Sequence, residues 1–137
     1  MRKLSLLKGC VSILLALLLV EGWVLPSAMG VTGELDGKSF VGQMGQVGKD
    51  KGDKDTFIFK DGKFHSTACD PYGFGDGAYT AKVNGDAIAF EAKTTSPTDG
   101  LMQWMGTVKG DKIEGTATWQ RVGKAPVEHW LKGELKQ

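Results

Sequence analysis

Phe59 to Phe64 reads FKDGKF, two phenylalanines around a polar insert with Asp61-Gly62 at its centre. Asp-Gly accepts the positive φ that a two-residue hairpin loop requires, so the stretch predicts two antiparallel strands meeting at a tight turn. The same pattern returns in LDGKSF (Leu35–Phe40), VNGDAI (Val83–Ile88) and VKGDKI (Val108–Ile113), the four copies starting 24, 24 and 25 residues apart. A near-constant period of this kind marks a repeated supersecondary unit. Little of the mature chain precedes the first copy, which therefore reads as the entrance to a first strand. The other three read as hairpins.

Between these turns lie short alternating runs of β-forming residues, with glycine spread evenly and almost no helical periodicity. The layout predicts eight strands, at about 38–46, 54–60, 63–69, 77–84, 86–95, 101–109, 112–120 and 127–136. Each is joined to the next by a short link, as in an antiparallel meander. Closure removes the unpaired edges of such a meander, so the expected fold is all-β, an eight-stranded antiparallel up-and-down barrel. The three tight hairpins fall at one end and the longer links, about 47–53, 70–76, 96–100 and 121–126, at the other. The barrel is therefore expected to have a closed end and a loop-bearing mouth.

Alternation along the strands assigns an inner face. Phe59, Phe64, Val83, Ile88, Val108 and Ile113 are expected to plug the closed end. Small residues such as Ser66, Ala81, Ala92, Gly106, Gly115 and Gly133 fall in the middle layers, and Tyr79, Met102, Trp104, Trp119 and His129 toward the mouth. Eight strands enclose room for side chains or for one small ligand. A small-lined middle under an aromatic rim favours a cavity. In DPYGFGDG (Asp70–Gly77), Asp-Pro starts a turn and the glycines relax the backbone, so Tyr72 and Phe74 become loop-tip aromatics over the mouth.

The order of elements resembles the lipocalin and calycin barrels. Those families often open strand one with a Gly-x-Trp signature, and the matching place here reads Gly37-Lys38-Ser39-Phe40, with phenylalanine in the aromatic position. The resemblance spans residues 31–137 in topology and implies small-molecule binding in a cavity. Avidin-type barrels share the strand layout, and inward Trp104 and Trp119 fit the aromatic cages of that family.

Residues 1–30 read as a secretory signal peptide. Arg2, Lys3 and Lys8 make a basic start, Cys10 to Val20 is an apolar run, and Ala28 and Gly30 place small residues at a cleavage site. The apolar run is too short for a stable bilayer span. Residues 31–137 then form one domain with 14 basic and 15 acidic residues. Its charges are interspersed, which excludes the basic stripe of a nucleic-acid binder and the polybasic patch of a membrane-surface protein. Without the leader, Cys69 is the single cysteine, so no internal disulfide forms and an intermolecular one through Cys69 stays open. The leader points to the periplasm or the cell exterior.

His65 and Cys69 invite a metal reading, but four positions along a strand span about 13 Å, whereas ligands sit about 2 Å from one ion. A Cys69–His129 nucleophile pair lacks an orienting third residue. The run KDKGDKD, Lys49 to Asp55, reads as a solvated loop. The expected protein is a non-enzymatic, exported barrel without cofactor or metal. It binds a small apolar or aromatic molecule through Tyr72, Phe74, Tyr79, Trp104, Trp119 and His129, the aromatics stacking and His129 giving one polar contact. The rival is a protein-interaction or inhibitor barrel that uses its mouth loops over a filled core.

Overall fold

The structure is a computed structural model that describes residues 33–137, and the leader lies outside them. The chain forms eight strands: β1 (Ser39–Gln46), β2 (Asp53–Lys60), β3 (Lys63–Ser66), β4 (Gly77–Asn84), β5 (Ala87–Ser96), β6 (Gly100–Lys109), β7 (Lys112–Gln120) and β8 (Val127–Leu135). They pair in sequence order, all antiparallel, and β8 returns to β1 from Phe40↔Leu135 to Gln46↔His129. The protein is a closed eight-stranded up-and-down β-barrel.

The repeated turns do what their composition requires. Asp61 (φ 52°) and Gly62 (φ 75°) both take positive φ, so Phe59 faces Phe64 across the β2–β3 hairpin. Val83 faces Ile88 and Val108 faces Ile113 in the other two hairpins. The first copy of the repeat leads into β1 and tucks Leu35 fully out of solvent beneath the barrel.

The interior is filled rather than hollow. Phe59 sits at the centre of an aromatic column, with ring centroids 5.0 Å from Tyr79, 5.1 Å from Phe90 and 5.2 Å from Phe64. Trp104 packs 4.8 Å from Phe64, and its indole N–H donates to the buried Thr94 hydroxyl at 3.0 Å. The small residues expected to line a central cavity do not face empty space. A Cβ on Gly106 would lie 2.7 Å from the Phe90 ring, so that glycine receives the ring. Gly42 faces Gly133, and a Cβ on Gly42 would lie 1.9 Å from the Lys132 carbonyl oxygen. Such crossings let the sheet curl tightly enough to close.

Two of the residues expected at the mouth are displaced by the stagger of the strands. The β3–β4 register pairs Phe64 with Gly77, and the Tyr79 N–H donates to the Gly62 carbonyl. Tyr79 therefore lies at the closed end. Its hydroxyl donates to Asp36 at 2.8 Å and accepts the Leu35 N–H at 3.0 Å. Burial and the Asp36 carboxylate push the phenol up to about 12, which keeps this donor protonated. The same stagger carries the tip of the β4–β5 hairpin past the floor, leaving Val83 exposed instead of plugging it. Trp104 belongs to the core, not the rim.

β3 ends three residues earlier than expected. At Thr67 the chain turns into a short 3-10 helix, Thr67–Tyr72. The cause is Asp55, 2 % exposed on the inner face of β2. Its carboxylate accepts the Ser66 hydroxyl at 2.5 Å, the Ala68 N–H at 3.0 Å and the Thr67 hydroxyl at 3.4 Å. These bonds replace a strand ladder with a local acceptor. The expectation that Lys49–Asp55 is a solvated loop fails at this residue, because Asp53–Asp55 already belong to β2.

Candidate functional site

At the mouth the aromatic filling stops, and a cavity of about 420 Å³ opens between two parts of the rim. One part is the β1–β2 arch with its flanking residues, which contributes Met44, Gln46, Lys49, Lys51 and Asp53. The other is the 3-10 segment with β6 and β7, which contributes Cys69, Tyr72, Phe74, Met102 and Trp119. His129, from β8, joins the lining.

Hydrogen bonds set the position of each part. The Trp119 indole N–H donates to the Asp99 carbonyl at 2.7 Å, and the Arg121 guanidinium lies 3.9 Å over the indole ring. The Tyr72 ring centroid lies 5.9 Å from that of Trp119 on the same side of the mouth. The Ser96 hydroxyl donates to the Tyr72 carbonyl at 2.7 Å and so straps the loop to β5. Phe74 is tucked inward and buried, while Tyr72 stays half-exposed. On the far side, the Trp130 indole donates to the Lys49 carbonyl at 2.9 Å, and the Val47 N–H donates to the Glu128 carbonyl at 3.0 Å. The arch is thereby pinned to β8.

Of the six residues singled out in the sequence, the cavity brings together Tyr72, Phe74, Trp119 and His129. Tyr79 and Trp104 lie elsewhere, for the reasons given above. Burial lowers the His129 pKa from its ordinary value and holds the ring neutral at pH 7. Among the described residues its buried Nδ1 makes no hydrogen bond. Sequence reasoning missed the arch lysines and the anchoring carboxylate. Asp55 was detectable by parity, since it shares the inward face with Phe57 and Phe59. Lys49 and Lys51 carry no periodic signal, because they sit in a loop.

His65 faces outward, as parity predicts. Its Nε2 is 2.7 Å from Asp70 and its Nδ1 2.9 Å from Asp76, the latter without hydrogen-bond alignment. It thus ties together the two ends of the mouth loop. Cys69 faces the cavity, so the two residues do not converge on one point. Among the described residues, no cluster of three or more His, Cys, Asp or Glu side chains is placed to hold a metal ion.

Cys69 lies in the 3-10 segment of the mouth loop and is buried there. Desolvation, reinforced by the charges of Asp55 and Asp70, pushes its thiol up to about 11, against the Ser66 hydrogen bond that opposes the shift. Thiolate is the reacting species, so two pKa units mean roughly a hundredfold less of it. The native protein should accordingly react with a thiol-titrating disulfide reagent at least about a hundredfold more slowly than free cysteine. In denaturant it should react at the ordinary rate. Rapid reaction of the native form would show an accessible thiol, the state an intermolecular disulfide needs.

The fold and site together define a closed up-and-down barrel with a packed core and one cavity set into its mouth. Comparison with protein-family models, with curated proteins and with solved structures found no match.

Proposed function

We propose that this protein is an exported, non-enzymatic, lipocalin-like barrel that binds a small apolar or aromatic molecule at its mouth. The observation that carries the reading is the 420 Å³ cavity walled by Phe74, Met102 and Trp119 above a filled core. That volume lies within the roughly 300–1,000 Å³ of small-molecule sites, and the lining sets an apolar and aromatic side beside polar Gln46, Lys49, Lys51, Asp53 and His129. The packed interior confines the ligand to the mouth, so it must be small. Export rests on the leader-like sequence alone.

Titration with a panel of one- and two-ring aromatic compounds should quench tryptophan fluorescence. Trp119→Leu should weaken binding by about tenfold, through loss of stacking area. Failure of every compound to bind would overturn the reading.

A second reading is favoured by a separate observation. Val47, Tyr72 and Val122 are exposed apolar side chains, and all three lie in mouth loops. A protein-interaction or inhibitor barrel would use that rim. A partner captured by the native protein and lost on the double replacement Tyr72→Ser and Val122→Ser, with no small molecule bound, would favour this second reading.

A further inference from the structure

The mouth cavity has two unlike walls. Tyr72, Phe74, Met102 and Trp119 make one side apolar and aromatic, whereas Lys49 and Lys51 stand on the β1–β2 arch with Asp53 as the single carboxylate of the lining. Asp50, between the two lysines, makes the arch neutral as a whole, but it is outside the lining, so the excess positive charge is confined to the face turned to the cavity. Among the described residues, neither lysine forms an ion pair. The pairs present join His65 to Asp70 and Asp76, Lys109 to Asp86, and Lys112 to Glu134.

Unpaired lysines on a surface are ordinary, but these two line a cavity and the backbone at Lys49 is held. The Lys49 N–H donates to the Gln46 carbonyl at 3.0 Å, and the Lys49 carbonyl accepts the Trp130 indole at 2.9 Å. Fixing the arch before a ligand arrives reduces the ordering cost of binding. An aromatic wall with two unpaired lysines facing it matches a flat molecule with an anionic edge.

We propose that the mouth takes a small aromatic carboxylate, its ring against Trp119 and Phe74 and its carboxylate toward Lys49 and Lys51. The proposal rests on the mouth being a ligand site, as proposed above, and narrows the ligand to one class. A neutral molecule of the same shape gains the aromatic contact only. Partly exposed ion pairs are individually weak, so the two lysines together favour the anion by about tenfold at low salt. Salt screens that preference while sparing the apolar contact.

Calorimetric titration with naphthalene-2-carboxylate and the nearly isosteric naphthalene-2-carboxamide separates charge from shape. The carboxylate should bind about tenfold more tightly at low ionic strength, and the ratio should fall toward one by about 0.5 M salt. The double variant Lys49→Gln, Lys51→Gln should lose the preference while binding the amide as before. Equal binding of the two compounds, or a preference that survives in the double variant, overturns the proposal. If both bind equally and Trp119→Leu weakens both, the mouth remains a ligand site and only its anion selectivity falls. If neither compound binds, the carboxylate proposal falls, and the panel titration decides whether the broader reading falls with it.

Discussion

Replacing Trp104 with alanine lowers the stability of the barrel by about 3–5 kcal/mol, the range for removing a large aromatic from a packed core. The side chain is fully buried and lies against Phe64. Its loss leaves a cavity where neighbouring strands, held by their ladders, cannot collapse. It also strands the Thr94 hydroxyl, itself 2 % exposed, which loses its bonded indole donor. A domain of this size has about 5–15 kcal/mol in all, so the variant is left marginal. Trp104→Phe refills most of the volume and should cost about 1–2 kcal/mol, chiefly the hydrogen bond. Denaturant melts read the difference as a shift in midpoint at constant slope. A Trp104→Ala midpoint within about 1 kcal/mol of the parent would mean that the ring does not pack the core. Trp119→Ala makes the contrast: its ring is partly exposed, so the cost should fall mainly on ligand affinity.

The different fates of these two tryptophans show where the sequence is legible and where it stops. Both face inward by parity, and parity is local: each strand alternates, and Phe57, Phe59, Phe64, Phe90 and Trp104 are all inside. The tight turns are local too, and Asp61-Gly62 specifies its own register. Height within the barrel is not local. It depends on the shear that closure imposes, and here that shear enters at the β3–β4 link, where a ten-residue crossing replaces a tight turn. Counting from Val83 places Tyr79 high, whereas the observed register seats it beside Gly62 at the floor. Small residues mislead in a similar way. Gly106 and Gly115 look like space along one strand, but they face each other and admit the Phe90 ring and the curl of the sheet. Of the mouth cavity, the aromatic half was readable from strand ends and the loop after Asp-Pro. The lysine-bearing half was not, because arch position depends on Trp130 reaching back from β8 to a residue 81 positions away.

Asp55→Ala should destabilise the protein by about 2–4 kcal/mol, since the Ser66 hydroxyl and the Ala68 N–H lose their acceptor and the 3-10 segment loses its anchor. The Thr67 hydroxyl, 3.4 Å away, is a weaker contact and adds little. Asp55→Asn should cost less, because the amide oxygen can still accept the Ala68 N–H and the NH₂ can donate to Ser66. The pH dependence identifies the group. Desolvation raises the Asp55 pKa above its ordinary 3.8, and the hydrogen bonds from Ser66, Ala68, Thr56 and Thr67 only partly oppose it. The folded protein thus holds this proton more tightly than the unfolded chain does. Its stabilising contribution is complete below the unfolded value and is lost as pH rises through the higher folded one. Between those values the parent should lose stability with rising pH, and Asp55→Asn, which carries no ionisable carboxyl here, should remove that component of the slope. The difference between parent and variant midpoints measured against pH isolates it from the other carboxylates. A constant difference from pH 3.5 upward would show that Asp55 titrates alike in both states. A difference that moves in the opposite direction would mean that its hydrogen bonds outweigh its burial. Asp55→Ala also reports on function, because Cys69 and Tyr72 ride on the segment that Asp55 holds: ligand affinity should weaken with Asp55→Ala at temperatures where the variant remains folded, and Asp55→Asn, which keeps the bonds to Ser66 and Ala68, should retain it.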